Sequence, residues 1–269
     1  MHAVDEAAVA AAVGGDRDAL ETVLRAVQDD IYRLAHRMLW HPQDAEDATQ
    51  EILVKVATRL STFRGDARVT TWVHRIAVNH LLTVRKRRTE RQALSFEAFG
   101  EDLAQGRDHP FDAPGVDEDL LAEEVKVGCT QGMLLCLDRP HRIAYILGDI
   151  LGLPGDEAAS ILDISAAAYR KRLQRARERI QQFMRGHCGL VDPTNPCRCS
   201  RRVGTAIATG RVDPDRLLFA GRVARHVESI ERMRDAAAVF RSHPELRAPE
   251  RVLAAVTATL RDQRMPTSG

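Results

Sequence analysis

An all-α fold is what this sequence predicts, on three observations. Aromatic residues make up only 4% of the 269, while Ala, Leu, Arg, Glu and Asp dominate, a composition that suits helices better than sheets. Apolar residues recur at i, i+3, i+4 and i+7 over long stretches. The breaks between those stretches fall at Pro, Gly and Asp, where helices stop and start. The length suggests two domains with room for a small third.

The elements follow in order. Leu20, Val23, Leu24, Val27, Ile31, Leu34, Ala35 and Met38 form one face of a helix over 16–40, which His41-Pro42 breaks. A second helix spans 44–60, with acids in its first turn where the helix dipole favours them. Phe63-Arg64-Gly65-Asp66 reads as a turn, and 70–88 as a third helix whose apolar side is Trp72, Val73, Ile76, Ala77, Leu81 and Val84. Residues 92–118, with Gly100, Gly106, Pro110, Pro114 and Gly115, read as a linker, although Phe96, Phe99 and Phe111 imply that part of it docks.

Helices are next expected over 120–137 and from Pro140 through Ile150. Gly152-Leu153-Pro154-Gly155 turns the chain into a short helix over 156–162. Asp163-Ile164-Ser165 is a tight turn, and a basic helix capped by Ser165 covers 166–184, completing a helix-turn-helix pattern. Beyond Gly186 the character changes to a knot rich in Pro, Asn and Asp that ends in Cys197-Arg198-Cys199. Two helices follow, over 213–241 and 249–264.

Lys and Arg total 39 against 38 Asp and Glu, so the net charge of +1 carries no message, but its distribution does. Basic runs close the helices near Arg85–Arg91 and Arg170–Arg185, and the linker between them is acidic. One such run is an ordinary solvated face; two at the ends of helical units point to a polyanion. No stretch of 18 apolar residues exists, and the first fifteen residues lack the basic start of a secretory leader. Five cysteines without such a leader argue for reduced thiols or a metal site, and a cytoplasmic protein without membrane attachment is expected. Cys129 and Cys136, seven residues apart on one face, read as buried small hydrophobes.

Residues 16–186 resemble the bacterial RNA polymerase sigma factors of the extracytoplasmic-function type, in the sigma-70 family. The motifs are the block Asp44-Ala-Glu-Asp-Ala-Thr-Gln-Glu-Ile-Leu-Val-Lys-Val56, then Phe63-Arg-Gly-Asp66 and Thr71-Trp-Val-His-Arg-Ile-Ala-Val-Asn79. Leu173-Gln-Arg-Ala-Arg-Glu-Arg179 completes the set within the helix-turn-helix. The resemblance implies sigma region 2 over 16–91, an acidic linker over 92–118 and sigma region 4 over 119–186, which leaves 187–269 as a Cys-containing helical extension. It also implies core RNA polymerase as partner, through the β′ clamp helices and the β flap, together with promoter DNA.

By the same resemblance Asp44, Asp47, Gln50 and Glu51 face the polymerase. Phe63, Arg64 and Asp66 would capture a base from the −10 element, with Thr71, Trp72, Arg75, Asn79, Arg85, Arg87 and Arg88 along the single strand. Single-stranded DNA needs a basic groove with apolar platforms, which these residues supply, though Trp72 also suits a core. Ser165, Tyr169, Arg170, Lys171, Gln174, Arg175 and Arg177 would meet the −35 duplex, with Arg177 and Arg179 suited to phosphates. Ala167-Ala168-Tyr169 departs from the family's usual trio, so the −35 sequence does not carry over. No catalytic constellation stands out, and the chain is expected not to be an enzyme: the polymerase does the chemistry.

The extension is not explained by the resemblance. His187, Cys188, Cys197 and Cys199 put four soft ligands within thirteen residues, a set that suits Zn²⁺ although Cys-x-Cys is less usual than Cys-x2-Cys. A thiol switch and a purely structural knot are the competing readings, and no cofactor is required for promoter recognition itself. The extension could take the place of an anti-sigma factor, or one could bind separately. The alternative function is a metal- or redox-sensing DNA-binding regulator that recruits no polymerase, but such a protein has no use for the Asp44–Val56 block.

Overall fold

The computed structural model describes residues 4–84, 94–105, 117–219, 235–243 and 245–262. Among them the regular structure is helical, with no strand, as the sequence predicts. The chain divides into two compact units, one of residues 1–89, 154–169 and 246–269, the other of 90–153 and 170–245.

The first unit holds α1 (Glu6–Val13), α2 (Arg17–Leu39), α3 (Pro42–Arg59), a single 3₁₀ turn (Leu60–Thr62), α4 (Val69–Thr83), α8 (Gly155–Leu162) and α12 (Glu250–Asp262). The Asp16 carboxylate starts α2 by accepting from the Asp18 and Ala19 N–H groups, at 2.9 and 3.0 Å. The predicted apolar face of α2 is the core: Val23, Leu24, Val27, Ile31, Leu34, Ala35 and Met38 are all buried. Trp40 ends the helix at a positive φ of 69°, and Pro42 then opens α3 at a position that needs no N–H. Against this core α12 lays Val252, Leu253 and Val256, all buried, and its approach is fixed by the Ala248 N–H donating to Asp29, 2.9 Å.

Three buried histidines make this unit acid-sensitive. Burial, reinforced by Arg37 and His41, brings His36 down to about 3; burial also lowers His74 and His80. An unfolded histidine protonates near 6.5, so the unfolded chain binds more protons below that pH and stability falls as pH drops toward 3. His36 alone is expected to take about 2 kcal/mol from stability between pH 7.5 and 5. Urea unfolding of the wild type and of His36→Leu at the two pH values checks this. An unchanged pH slope in the variant would contradict it.

The second unit holds α5 (Phe96–Ala104), α6 (Glu118–Leu135) and α7 (Arg139–Tyr145), the last continuing as a π turn (Ile146–Ile150). It also takes in most of α9 (Ala166–His187), whose first turn lies in the first unit, with α10 (Cys199–Ala208) and α11 (Ala236–Arg241). Arg142, itself buried, satisfies the end of α6: its guanidinium donates to the Leu134 and Leu137 carbonyls at 2.9 and 3.0 Å. The buried carboxylate of Glu124 accepts from the Leu218 and Phe219 N–H groups, both at 2.8 Å. A small core of Leu121, Val125, Val203, Ala206 and Val212 joins α10 to α6.

Two expectations change. The linker contains α5, capped by Ser95, whose Phe96 and Phe99 rings sit 5.2 and 5.6 Å from Phe183. Its Asp102 is bound by Arg202 and Arg211 of the extension, and the Arg211 guanidinium holds the Asp102 carboxyl below the usual range. The helix expected over 213–241 is instead, in its described parts, a turn after Asp213 followed by α11. Glu124 holds the backbone at 218–219 out of helical pairing. Among the described residues no helix is long and apolar enough to cross a membrane.

Candidate nucleic-acid interface

The turn after α3 and the start of α4 bring six of the predicted residues together. Phe63, Arg64, Asp66, Thr71, Trp72 and Arg75 line one cleft. Phe63 and Trp72 form its apolar wall, their ring centroids 5.6 Å apart and each ring half-buried. Trp72 is thus neither a core residue nor a free platform, and a base entering the cleft would meet both rings and the Arg64 and Arg75 cations. Asn79 is exposed two turns along α4. Arg85, Arg87 and Arg88 lie outside the described residues.

Two side chains of this cleft are already engaged. Thr71 donates its hydroxyl to Glu157 of α8 at 2.8 Å, and Arg75 reaches Asp163 at 2.7 Å. Asp163 sits in the left-handed region, φ 55°, at the turn of the helix-turn-helix. Carboxylates therefore stand where a nucleic-acid phosphate or base edge would compete.

On α3, Asp44, Asp47 and Gln50 are half-buried and Glu51 is exposed, with its carboxylate 3.6 Å from His80. One turn before Gln50, on the same side, Glu46 is buried and takes two charge-assisted bonds from Arg251 of α12, at 2.8 and 2.6 Å. Sequence reasoning missed Glu46, because nothing local shows that a helix some two hundred residues later covers it.

The predicted reader, α9, begins as expected with Ser165 accepting from the Ala168 N–H. Arg170, Lys171, Gln174 and Arg175 are exposed along it. The others are not on that stripe. Tyr169 is 1% exposed and packs inward. Arg177 closes on the buried Asp149 through its Nε, at 3.0 and 2.9 Å to the two carboxylate oxygens, and through Nη2.

The four predicted metal ligands separate. His187 stacks on Phe183, centroids 4.6 Å apart, and packs beside Gly100 of α5. Cys188, Cys197 and Cys199 instead share their surroundings with Cys129, whose thiol is raised by burial and by the other three thiols. Cys199 is likewise pushed up to about 12, by burial first and then by Cys188 and Cys197. No disulfide joins any of the five cysteines. Among the described residues no three His, Cys, Asp or Glu side chains form a ready metal-ligating group. The reading of Cys129 as one more core hydrophobe misses this company, which only the packing of α10 on α6 reveals.

Two family profiles match the chain: sigma-70 region 2 over residues 23–91 and sigma-70 region 4 over residues 128–180. Over those residues the chain is similar to the extracytoplasmic-function sigma factors of the sigma-70 family. The extracytoplasmic-function factor SigE of Mycolicibacterium smegmatis is 29% identical over 64% of this chain and 65% of its own length. SigW of Bacillus subtilis is 27% identical over 64% of the chain and 91% of its own. The chain thus spans just under two thirds of the mycolicibacterial protein. Among solved structures, CnrH in complex with the cytosolic domain of CnrY aligns with TM-score 0.47 at 22% identity, covering 68% of this chain and 99% of that one. The cleft residues Phe63 to Arg75 lie within the region 2 match, and the region 4 match runs from α6 into α9. The region 4 match ends at residue 180, before the cysteine knot.

Proposed function

We propose that the chain is a sigma factor that binds core RNA polymerase through α3, directs it to promoters and initiates transcription, and that its extension and its helix-turn-helix both restrain it. The polymerase supplies the chemistry and the cytoplasm is the compartment. The −10 strand enters the cleft of Phe63, Arg64, Asp66, Thr71, Trp72 and Arg75, while Arg170, Lys171, Gln174 and Arg175 of α9 read the −35 duplex. The observation that carries the reading is the gathering of those six residues in one cleft of a chain whose two conserved sigma regions both match.

The restraint rests on the two engaged surfaces. Glu157 and Asp163 occupy Thr71 and Arg75, and α12 lies on α3 with Arg251 on Glu46, next to Asp47 and Gln50. Promoter strand and polymerase each have an intramolecular competitor to displace.

Transcription by purified bacterial core polymerase on fragmented genomic DNA, with and without the protein, tests the reading by mapping RNA 5′ ends. New starts that share a −35/−10 pair are expected, and more of them from residues 1–245 than from the full chain. Silence from both proteins, with core binding intact, would overturn it.

A further inference from the structure

The knot brings together a ligand chemistry that neither the polymerase-facing nor the DNA-facing surface uses. The Gly189 N–H donates to the Cys197 carbonyl at 3.2 Å, which ties the turn after Cys188 to the one before Cys199. Arg198 holds the same turn through the carbonyls of Pro193, Asn195 and Cys197. Only glycine fits at 189, since a Cβ there would stand 1.6 Å from the Arg198 guanidinium and 2.3 Å from the Cys197 carbonyl oxygen. Cys199 opens α10 and packs on the core that holds Leu121 and Val125 of α6. Cys129 lies one turn beyond Val125 on the same helix side. A helix, a turn and the start of a second helix thus deliver four thiols to one neighbourhood.

Burial favours the protonated thiols of Cys129, Cys188 and Cys199, and neighbouring groups act against it. Burial pushes the Cys188 thiol up, and the Leu190 and Val191 N–H groups act the other way. Each of three cysteines has a cation within electrostatic reach: Arg198 for Cys188, Lys126 for Cys199 and Arg202 for Cys129. Lys126 and Arg202 are themselves buried, and each also pairs with a carboxylate, Glu123 and Asp102 respectively.

We propose that Cys129, Cys188, Cys197 and Cys199 form a four-thiolate zinc site that fastens the extension to α6. Cys129 takes the place that spacing alone gives to His187, whose ring is committed to Phe183 and Gly100. Four sulfurs in a closed tetrahedral set are the soft, structural form of zinc ligation. Binding releases the thiol protons to solvent, and the tetrathiolate lies near the Arg198 guanidinium and the Lys126–Glu123 and Arg202–Asp102 pairs. The side chains do not form a ligating group as they stand, so closing on the ion takes rotation of the thiols toward one another. The site is independent of whether the chain acts with polymerase.

The test is made on the reduced full-length chain. Zinc content, read by a chromophoric chelator after thiol modification, is expected at about one ion per chain. Cys129→Ser is expected to lose the zinc and His187→Ala to keep it. Cobalt substitution of the unaltered chain guards against a variant that merely fails to fold: the intensity of its sulfur-to-cobalt charge-transfer band should report four thiolates. No bound metal, zinc retained by Cys129→Ser, zinc lost from His187→Ala, or a cobalt spectrum of three sulfurs would each overturn the proposal.

Discussion

Replacing Arg142 with Met is expected to destabilise the second unit by about 3 kcal/mol and lower its melting temperature by roughly 10 °C. The apolar stem of Arg142 is retained, so the loss isolates the guanidinium. Leu134 and Leu137 are both 1% exposed; at the end of α6 the Leu134 carbonyl accepts from the Leu137 N–H at 3.1 Å as well as from Arg142, and Arg142 serves the Leu137 carbonyl at 3.0 Å. Each buried carbonyl left without its partner costs on the order of 1–3 kcal/mol. Thermal unfolding followed by circular dichroism checks the value. Arg175→Met on the exposed side of α9 serves as the control, expected within about 0.5 kcal/mol of wild type. Equal melting of the two variants would remove Arg142 from the account of this unit.

Ending the chain at Glu245, which removes α12, is expected to tighten binding to core polymerase by about tenfold or more. Val252, Leu253 and Val256 are fully or nearly fully buried on the first unit, and burial of each such side chain is worth roughly 1.5–3 kcal/mol. The tether also makes docking intramolecular, so the covered state dominates and polymerase binds only through the uncovered fraction. Arg251→Glu should give a smaller rise in the same direction. It sets like charge against the buried Glu46, but the Arg251 side chain is 67% exposed and water weakens its part. Titration of labelled core polymerase with the three proteins gives the comparison. Equal affinities for the full and shortened chains would show that α12 does not compete.

Much of the helical layout is legible locally, because its signals are local. Asp16, Pro42 and Ser165 mark helix starts, and the period of α2 alone identifies its buried face. The cleft is legible for another reason: Phe63 to Arg75 is a single short segment, so motif and geometry coincide. What escapes the sequence depends on distant partners. Nothing near Glu46, Glu124 or Cys129 announces Arg251, the backbone at 218–219, or the knot thiols. Arg177 looks like any other base on a basic helix until Asp149 is found beneath it. The α5 helix hides in a Gly- and Pro-containing linker because its anchor, Phe183, lies more than eighty residues on. The first helix, α1, escapes because its Ala-rich sequence has no apolar period, although the Asp5 cap was there to be read.

The unbroken run of α9 from Ala166 to His187 has a consequence for angular phase. The stripe of Arg170, Lys171, Gln174 and Arg175 and the knot at Cys188 are set on one helical axis, so the azimuth of each fixes that of the other. One residue inserted near Ile180 would swing the knot by about 100° around that axis relative to the stripe, and would also pull Phe183 out from under Phe96 and Phe99. Four inserted residues would restore the angle to within about 40° but shift the knot by roughly 6 Å along the axis. In this chain the length of α9 between stripe and knot acts as a clock setting, and sequence drift there is constrained in number of residues even where it is free in kind.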